Sequence, residues 1–509
     1  MSAEKTGFAR YAPILIFTTI NLLNYMDRYT VAGVLDQIQA YYNIDDAMGG
    51  FIQTIFMAFY IVFSPTAGFL GDRYNRKWIM VVGISLWVVI VLASSFIPSN
   101  LFPVFLILRG MVGVGEASYA IICPSVIADM YTGISRSRML MVFYFATPVG
   151  SGLGFIVGSS VSSWLGCWKW GIRVTCIFGV ICILLIILFV EEPERGAAER
   201  EIGHITAEVK NSNYLKDLWE LCKNPTYMTS SFGYTALVFG VGTLSWWMPT
   251  AIERKDAWKR GLNSTVYLPT DTTNGINLYF GMITLAAGLL GVIAGTMISN
   301  LMSNGVNLGC CYLKTKRSDA IICCVGAIIG IPTMLVGIWA IADHMAISWA
   351  MIFICCTALS FNWSTNVDML MSVVIPSRRN TANAFQILLS HLLGDGSGPY
   401  ILGAISDALQ GNDKSMKSQF QSLQKSFYLA DVVLVLGAVL YAVSAFTVVA
   451  DQKKFEEEMG TLTSAAINEG YDDEEKKREL SIYEDENRNM SMYDETPETV
   501  EPINIIERF

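Results

Sequence analysis

The chain has 509 residues, of which 53% are hydrophobic and only 16% charged, and its mean hydropathy is +0.43. Such a composition excludes a water-soluble globule and describes a membrane chain. The formal charge of −9 is local: from Asp451 onward 18 acidic residues stand against 7 basic ones, while the residues before it hold 28 basic and 26 acidic side chains, so no basic face points to nucleic acid as a partner.

A spanning helix needs about 20 mostly apolar residues, and runs of that kind occupy 12–33, 47–70, 78–97, 101–126, 139–163, 170–190, 227–250, 275–300, 319–341, 345–372, 381–407 and 427–449. The sequence therefore predicts an all-α membrane protein of twelve transmembrane helices in two six-helix bundles. A cytosolic N-terminus covers 1–11, the first bundle 12–190, a polar cytosolic linker 191–226, the second bundle 227–449, and an acidic, disordered cytosolic tail 450–509. Six plus six spans is the layout of transporters built from structural repeats, whose substrate site lies at the repeat interface near mid-membrane.

Lys5 and Arg10 precede the first span like the start of a secretory signal, but Asp27 and Arg28 within the run favour a retained helix. An ionisable residue at the centre of a span costs about 2.5–3.5 kcal/mol to insert and usually faces a cavity with a partner. Span 1 carries Asn21, Asn24, Asp27 and Arg28, and span 4 carries Arg109 and Glu116. The seven residues between the last two are about two helical turns and place them on one face. Gly110, Gly113 and Gly115 leave room beside them. An anionic group reaching Arg109, and a carboxyl whose proton occupancy follows the distance to that cation, suggest proton-coupled transport. The competing reading is an ion pair that only fixes helix packing.

The segment Gly68-Phe69-Leu70-Gly71-Asp72-Arg73-Tyr74-Asn75-Arg76-Lys77 after span 2 resembles the loop motif of the major facilitator superfamily. Asp72 is expected at the N-terminus of a helix from the other half, and Arg73 or Arg76 against Asp129 at the end of span 4, closing the cytosolic side. The corresponding loop after span 8 is degenerate, with Gly295, Ser299 and Asn300 and no Asp-Arg pair. In span 5, Gly150, Gly154 and Gly158 recur every fourth residue. Without a strand before it this is close helix packing, not a dinucleotide loop.

The loops after spans 2, 4, 8 and 10 hold Arg73, Arg76, Lys77, Arg136, Arg138, Lys314, Lys316, Arg317, Arg378 and Arg379, so the positive-inside rule puts them and both termini in the cytosol. Arg254, Lys255, Lys259 and Arg260 after span 7 break the pattern. The same loop holds the sequon Asn263-Ser264-Thr265, which marks it as lumenal or extracellular. Span 10 contains Asn362, Ser364, Thr365, Asn366 and Asp368, too polar a run to face lipid; some of these are expected to line the cavity. In span 11, His391 and Asp395 lie four apart on one face, and Gly396, Gly398 and Pro399 predict a break just beyond. The cysteine doublets, 310–311, 323–324 and 355–356, lack zinc-ligand spacing and read as small apolar packing residues. No cofactor or metal is called for. The tail segment Glu501-Pro502-Ile503-Asn504-Ile505-Ile506 looks like an acidic dileucine sorting signal, which makes sorting adaptors a partner.

Together, Asn24-Tyr25-Met26-Asp27-Arg28, the loop after span 2, Arg109 to Glu116, Phe145 to Ser159, Asn362-Trp363 through Asp368 to Arg379, and Ser390-His391-Leu392-Leu393-Gly394-Asp395 leading to Pro399-Tyr400 resemble the Spinster family. The resemblance implies a lipid exporter, because animal members move lysophospholipids out of lysosomes or sphingosine-1-phosphate out of cells; the protein is expected to function as a monomer. The resemblance also implies that Asp27, Arg109 and Glu116 couple protons to a lysolipid substrate, with His391 carried over beside them. The loop after span 8 and the tail depart from the family pattern. Lysosome or late endosome is expected ahead of the plasma membrane. The alternatives are a proton-coupled carrier of small organic anions, a non-transporting lipid receptor, or a membrane acyltransferase or lipid hydrolase. Three histidines and the lack of a nucleophile motif weigh against an enzyme.

Overall fold

The computed structural model describes residues 7–131, 133–193, 214–307, 312–374 and 378–468. The first bundle is built from α1 (Gly7–Gly33), its continuation α2 (Leu35–Tyr42), α3 (Asp46–Arg73), α4 (Arg76–Ser94), α5 (Phe102–Met130), α6 (Gly133–Trp164) and α7 (Trp168–Phe189). A short helix in the linker, α8 (Tyr214–Cys222), leads into the second bundle. There follow α9 (Pro225–Lys259), α10 (Thr270–Asn304), α11 (Ser318–Ala340), α12 (Met345–Ser360), α13 (Asn362–Val373), α14 (Arg379–Ser390), a π-helical turn at His391–Asp395, α15 (Gly398–Gln410) and α16 (Met416–Asn468). Asp45, Asn75 and Asn224 start α3, α4 and α9 by accepting from the backbone N–H three residues on, which satisfies donors the first helical turn leaves open.

Ten helical segments among the described residues are long and apolar enough to cross a bilayer, α12 and α13 counting as one. The two further crossings are α1, whose apolar run is diluted by Asn21, Asn24, Asp27 and Arg28, and the broken rod α14–π–α15, whose helices of 12 and 13 residues are each too short to cross alone. Within the first bundle α1 packs on α6, and α5 on α3 and α4. The bundles meet along α6 with α10 and α3 with α15. The spacing of four in α6 does what it predicts. A methyl group at Gly154 would sit 2.7 Å from the Met26 carbonyl, and Gly150 and Gly158 press on Leu22 and Thr30 of the same helix. Gly152, on another face, meets Gly281 of α10 across the bundles.

Four expectations are corrected. The basic stretch after span 7 is not wholly a loop: α9 runs on to Lys259, and Arg254 is buried at 5% exposure, so it is a neutralised interior cation and not an exception to loop charge. The break in span 11 falls two residues early, at Gly394 (φ −98°, ψ −108°), where the Gly396 N–H reaches back five residues to the His391 carbonyl. The helix of span 12 continues through Asn468, because residues 451–468 are mostly good helix formers. The loop after span 8 pairs Val306–Asn307 with Tyr312–Leu313 as two short antiparallel strands; the doublet Cys310-Cys311 lies outside the described residues. Of the other doublets, Cys323 and Cys355 are buried in helix contacts.

The end holding the 261–269 segment is the sequon end, and the end holding 191–193 and α8 is the linker end. At the sequon end Lys259 pairs with Asp343 at 2.8 Å, and that hydrogen bond and charge hold the exposed Asp343 carboxyl below the usual carboxylate range.

Candidate functional site

The polar residues of α1 are gathered by two helices of its own bundle. Asp27 Oδ2 lies 3.3 Å from Arg109 Nη2 of α5, and its Oδ1 accepts from Thr175 Oγ1 of α7 at 3.1 Å. Asn24 donates through Nδ2 to Glu116 Oε1. The later residue on α5 meets the earlier one on α1, as antiparallel helices require, and the predicted common face of Arg109 and Glu116 is turned on α1. All five are buried, Asp27 to 1% and Arg109 to 3% exposure. Yet Arg109 Nε and Nη1 and Glu116 Oε2 have no hydrogen-bond partner. Buried polar atoms are normally satisfied, and an unsatisfied one costs about 1–3 kcal/mol. A guanidinium with two open donors and, two helical turns along α5, a carboxyl with one open oxygen are thus left unsatisfied by the fold itself.

Arg28 turns the other way and crosses between the bundles. Its Nη2 lies 2.6 Å from Asp395 Oδ2, and the second oxygen of Asp395 lies 2.9 Å from His391 Nδ1. With the Gln53 amide oriented so that its oxygen faces Arg28, that oxygen accepts from Nη2 at 2.6 Å and Nε at 2.9 Å, an assignment made from the hydrogen bonds themselves. The guanidinium also lies 5.4 Å from the Phe56 ring centroid, and Tyr60 sets its ring edge-on to His391 at 5.9 Å. The π turn aims His391 and Asp395 together: Gly394, with no side chain, lets the backbone press on Val238 and Phe239 of α9. The row Gln53, Arg28, Asp395, His391 thus links α3 and α1 to the broken helix of the second bundle.

Not every predicted residue reaches this centre. Asn366 lies inside the second bundle, donating to Gln386 Oε1 at 2.9 Å and accepting from Tyr441 Oη at 3.1 Å; its polarity serves packing. Asn362 Nδ2 bonds the Leu359 carbonyl of its own chain segment, while Asp368 is exposed, 3.5 Å from Ser364 Oγ. Around the loop motif, Arg76 is buried and reaches Asp129 at 2.5 Å, Glu192 at 3.4 Å and the Pro193 carbonyl at 3.0 Å. These contacts join α4, α5 and the start of the linker within one bundle and do not bridge the two. A methyl group at Gly68 would meet only Ile121, at 3.8 Å; the side chains of Asp72 and Arg73, like Glu501, Ile505 and Ile506, lie outside the described residues. Asn263 is exposed beside the 3-10 turn Thr265–Tyr267.

Sequence reading passed over Gln53, Phe56, Tyr60 and Thr175, although Gln53 was visible as a lone amide in an apolar span. The pairing of Arg28 with Asp395 had no local signal, since 367 residues separate them. Beside the site, Thr18 and Leu22 of α1 and Met141, Val142, Phe145, Ala146 and Val149 of α6 line an apolar cavity of about 350 Å³.

A model of the Major Facilitator Superfamily matches residues 17–399, and with two packed bundles and an interior charged site the chain is a transporter of that superfamily. Protein spinster homolog 1 of Homo sapiens is 43% identical over 444 residues, covering 87% of this chain and 81% of that protein. The Xenopus laevis protein of the same name is 42% identical over 450 residues, covering 87% and 82%. The Xenopus tropicalis protein named sphingosine-1-phosphate transporter SPNS2 is 39% identical over 442 residues, covering 87% and 82%. The chain belongs to the spinster family. Among solved structures, a bacterial homolog of the human lysosomal transporter Spinster, in an inward-facing, unoccupied conformation, shares the fold with a TM-score of 0.73 at 18% identity, over 88% of this chain and 99% of its own.

Proposed function

We propose that this protein exports single-chain lipids with an anionic head group, lysophospholipids or sphingosine-1-phosphate, by proton-coupled alternating access. The observation that carries the reading is the Arg28–Asp395 pair at 2.6 Å, a cross-bundle tie in contact with a titratable histidine and close to the unsatisfied Arg109 and Glu116. A phosphate bound at Arg28 replaces Asp395 as the partner of the cation, so substrate binding loosens one bundle from the other. Asp395 then keeps His391 Nδ1, 2.9 Å away, as its partner, and a proton enters as the phosphate does. The acyl chain occupies the apolar cavity between α1 and α6, which begins at Leu22, two residues before Asn24 on α1. The Xenopus tropicalis relative, named a sphingosine-1-phosphate transporter, supports lipid as the cargo, and the bacterial homolog's human counterpart, described as lysosomal, supports an endolysosomal membrane as the place.

In this reading both termini are cytosolic, the linker end faces the cytosol, the protein acts as a monomer, and Glu501, Ile505 and Ile506 bind sorting adaptors. Arg76, Asp129, Asp72, Arg73 and Gly68 shape the cytosolic rim. The test is flux of labelled lysophosphatidylcholine, lysophosphatidylethanolamine and sphingosine-1-phosphate in proteoliposomes, with and without a pH gradient, for wild type and Glu116→Gln. Gradient-driven flux of one lipid, lost in the variant, is expected. Folded protein that moves none of the three lipids overturns lipid as the cargo, and flux indifferent to the gradient overturns the coupling.

A further inference from the structure

A second buried polar cluster ties the bundles at the sequon end, eight residues beyond Arg28 along the chain, which is about 12 Å of helix. Arg254 of α9 grips Asp46, the first residue of α3, through Nη1 at 2.7 Å and Nη2 at 2.5 Å. Gln39 and Ser406 also donate to Asp46, at 2.9 and 2.8 Å, so both its oxygens are fully engaged. Asp407 of α15 accepts from the Asp46 and Ala47 backbone N–H groups at 3.1 and 2.7 Å, capping a helix of the opposite bundle.

Asp36 of α2 is treated differently. Arg254 Nε approaches its Oδ1 only to 3.7 Å, and Oδ2 has no hydrogen-bond partner. The Glu253 carboxyl, 6% exposed, lies against it, and accepts from Asn277 Nδ2 at 3.2 Å. Three carboxyls, Asp36, Asp46 and Glu253, thus share one guanidinium, with Asp407 just beyond. Lys255, the next cation on α9, is occupied by Asp256 at 2.7 Å. Like charges in contact and out of water cannot both persist, and Asp46 already holds the arginine. A proton shared by the remaining two carboxyls removes the conflict and gives the open oxygen of Asp36 a donor.

We propose that Asp36 and Glu253 form a proton-binding pair that exists only while the bundles are closed at the sequon end, each bundle supplying one carboxyl. Opening separates them into water, where both ionise and the proton leaves on that side. This rests on the alternating-access reading but not on the identity of the cargo. By linkage, the conformation that binds the proton more tightly is favoured as pH falls, so acidification closes this end and alkalinisation opens it.

Hydrogen exchange of the Asp46 and Ala47 amides, which Asp407 holds from the other bundle, reads closure in the full chain in nanodiscs. After correction for intrinsic exchange, wild-type protection should fall between about pH 5 and pH 8, by about tenfold for each unit of pKa difference between the closed and open pair. Glu253→Gln, which mimics the shared proton, should stay protected throughout and lose the pH dependence; Asp36→Asn should do the same and serves if the first variant fails to fold. Asn263→Gln, altered only at the exposed sequon, should keep the wild-type profile. A flat wild-type profile, or a Glu253→Gln profile that follows wild type, overturns the pair. Flux that ignores a pH gradient while the exchange profile stands would instead overturn the coupling in the proposed function and leave the pair intact.

Discussion

Asp27 is held by two donors, whereas Arg109 spends one of its nitrogens on that pair and keeps two without partners. Removing one member of a buried pair costs about 3–5 kcal/mol because the other charge is left uncompensated. Arg109→Ala should therefore destabilise strongly. Adding Asp27→Asn should recover most of the loss, while transport stays abolished in both. A double-mutant cycle on melting and flux checks this, and normal flux in either stable variant would show that the pair only packs helices. Asn366 makes the opposite case: Asn366→Ala strands Gln386 and Tyr441 and should cost about 1–3 kcal/mol, with flux per folded molecule unchanged. A cavity-lining role would instead show as lost flux at unaltered melting temperature.

Between elements, closure depends on residues with no side chain at all. At Gly50 an added methyl group would run into the Pro399 carbonyl of α15, and at Gly403 into the Asp46 carbonyl of α3. Neither obstacle is a flexible chain end that can swing aside. Overpacking of this kind costs about 1–3 kcal/mol, and because the clash exists only when α3 and α15 touch, the cost falls on one conformation. Gly50→Ala should fold normally, expose the sequon end and slow turnover by about tenfold, the factor that 1.4 kcal/mol represents. Flux together with exchange at Asp46 would measure it, and unchanged closure would mean that the helices do not need this approach. Much of the architecture was legible for related reasons. Apolar runs mark spans because lipid demands them, and the α6 glycines mark a helix contact because their spacing is local. The charges in α1 and α5 stood out against an apolar background. What the chain order hides is which span the charges will face: Arg28 finds Asp395, and Arg254, set among loop-like basic residues, is swallowed by α9 and paired with Asp46. Those partners are chosen by the packing of two bundles, a long-range outcome that no periodicity records.

At the scale of the whole molecule, burial of Arg254 removes the main exception to the charge asymmetry between the two ends. What stays at the sequon end is modest: Lys255 and Lys259 are each paired with an aspartate and Arg260 donates to Thr272, while the linker end keeps Lys77, Arg138, Lys314, Lys316 and Arg317 in or beside its loops. In the proposed orientation, with positive loops retained on the cytosolic side, the exposed Asn263 lies outside the cytosol, within reach of the glycosylation machinery. Protein made in cells should carry a glycan there. Endoglycosidase treatment should lower the apparent mass of wild type and leave Asn263→Gln unaffected. An unmodified Asn263, together with a glycan on a site engineered between α8 and the preceding linker residues, would reverse the molecule in the membrane, and with it the side on which a proton leaves Asp36 and Glu253.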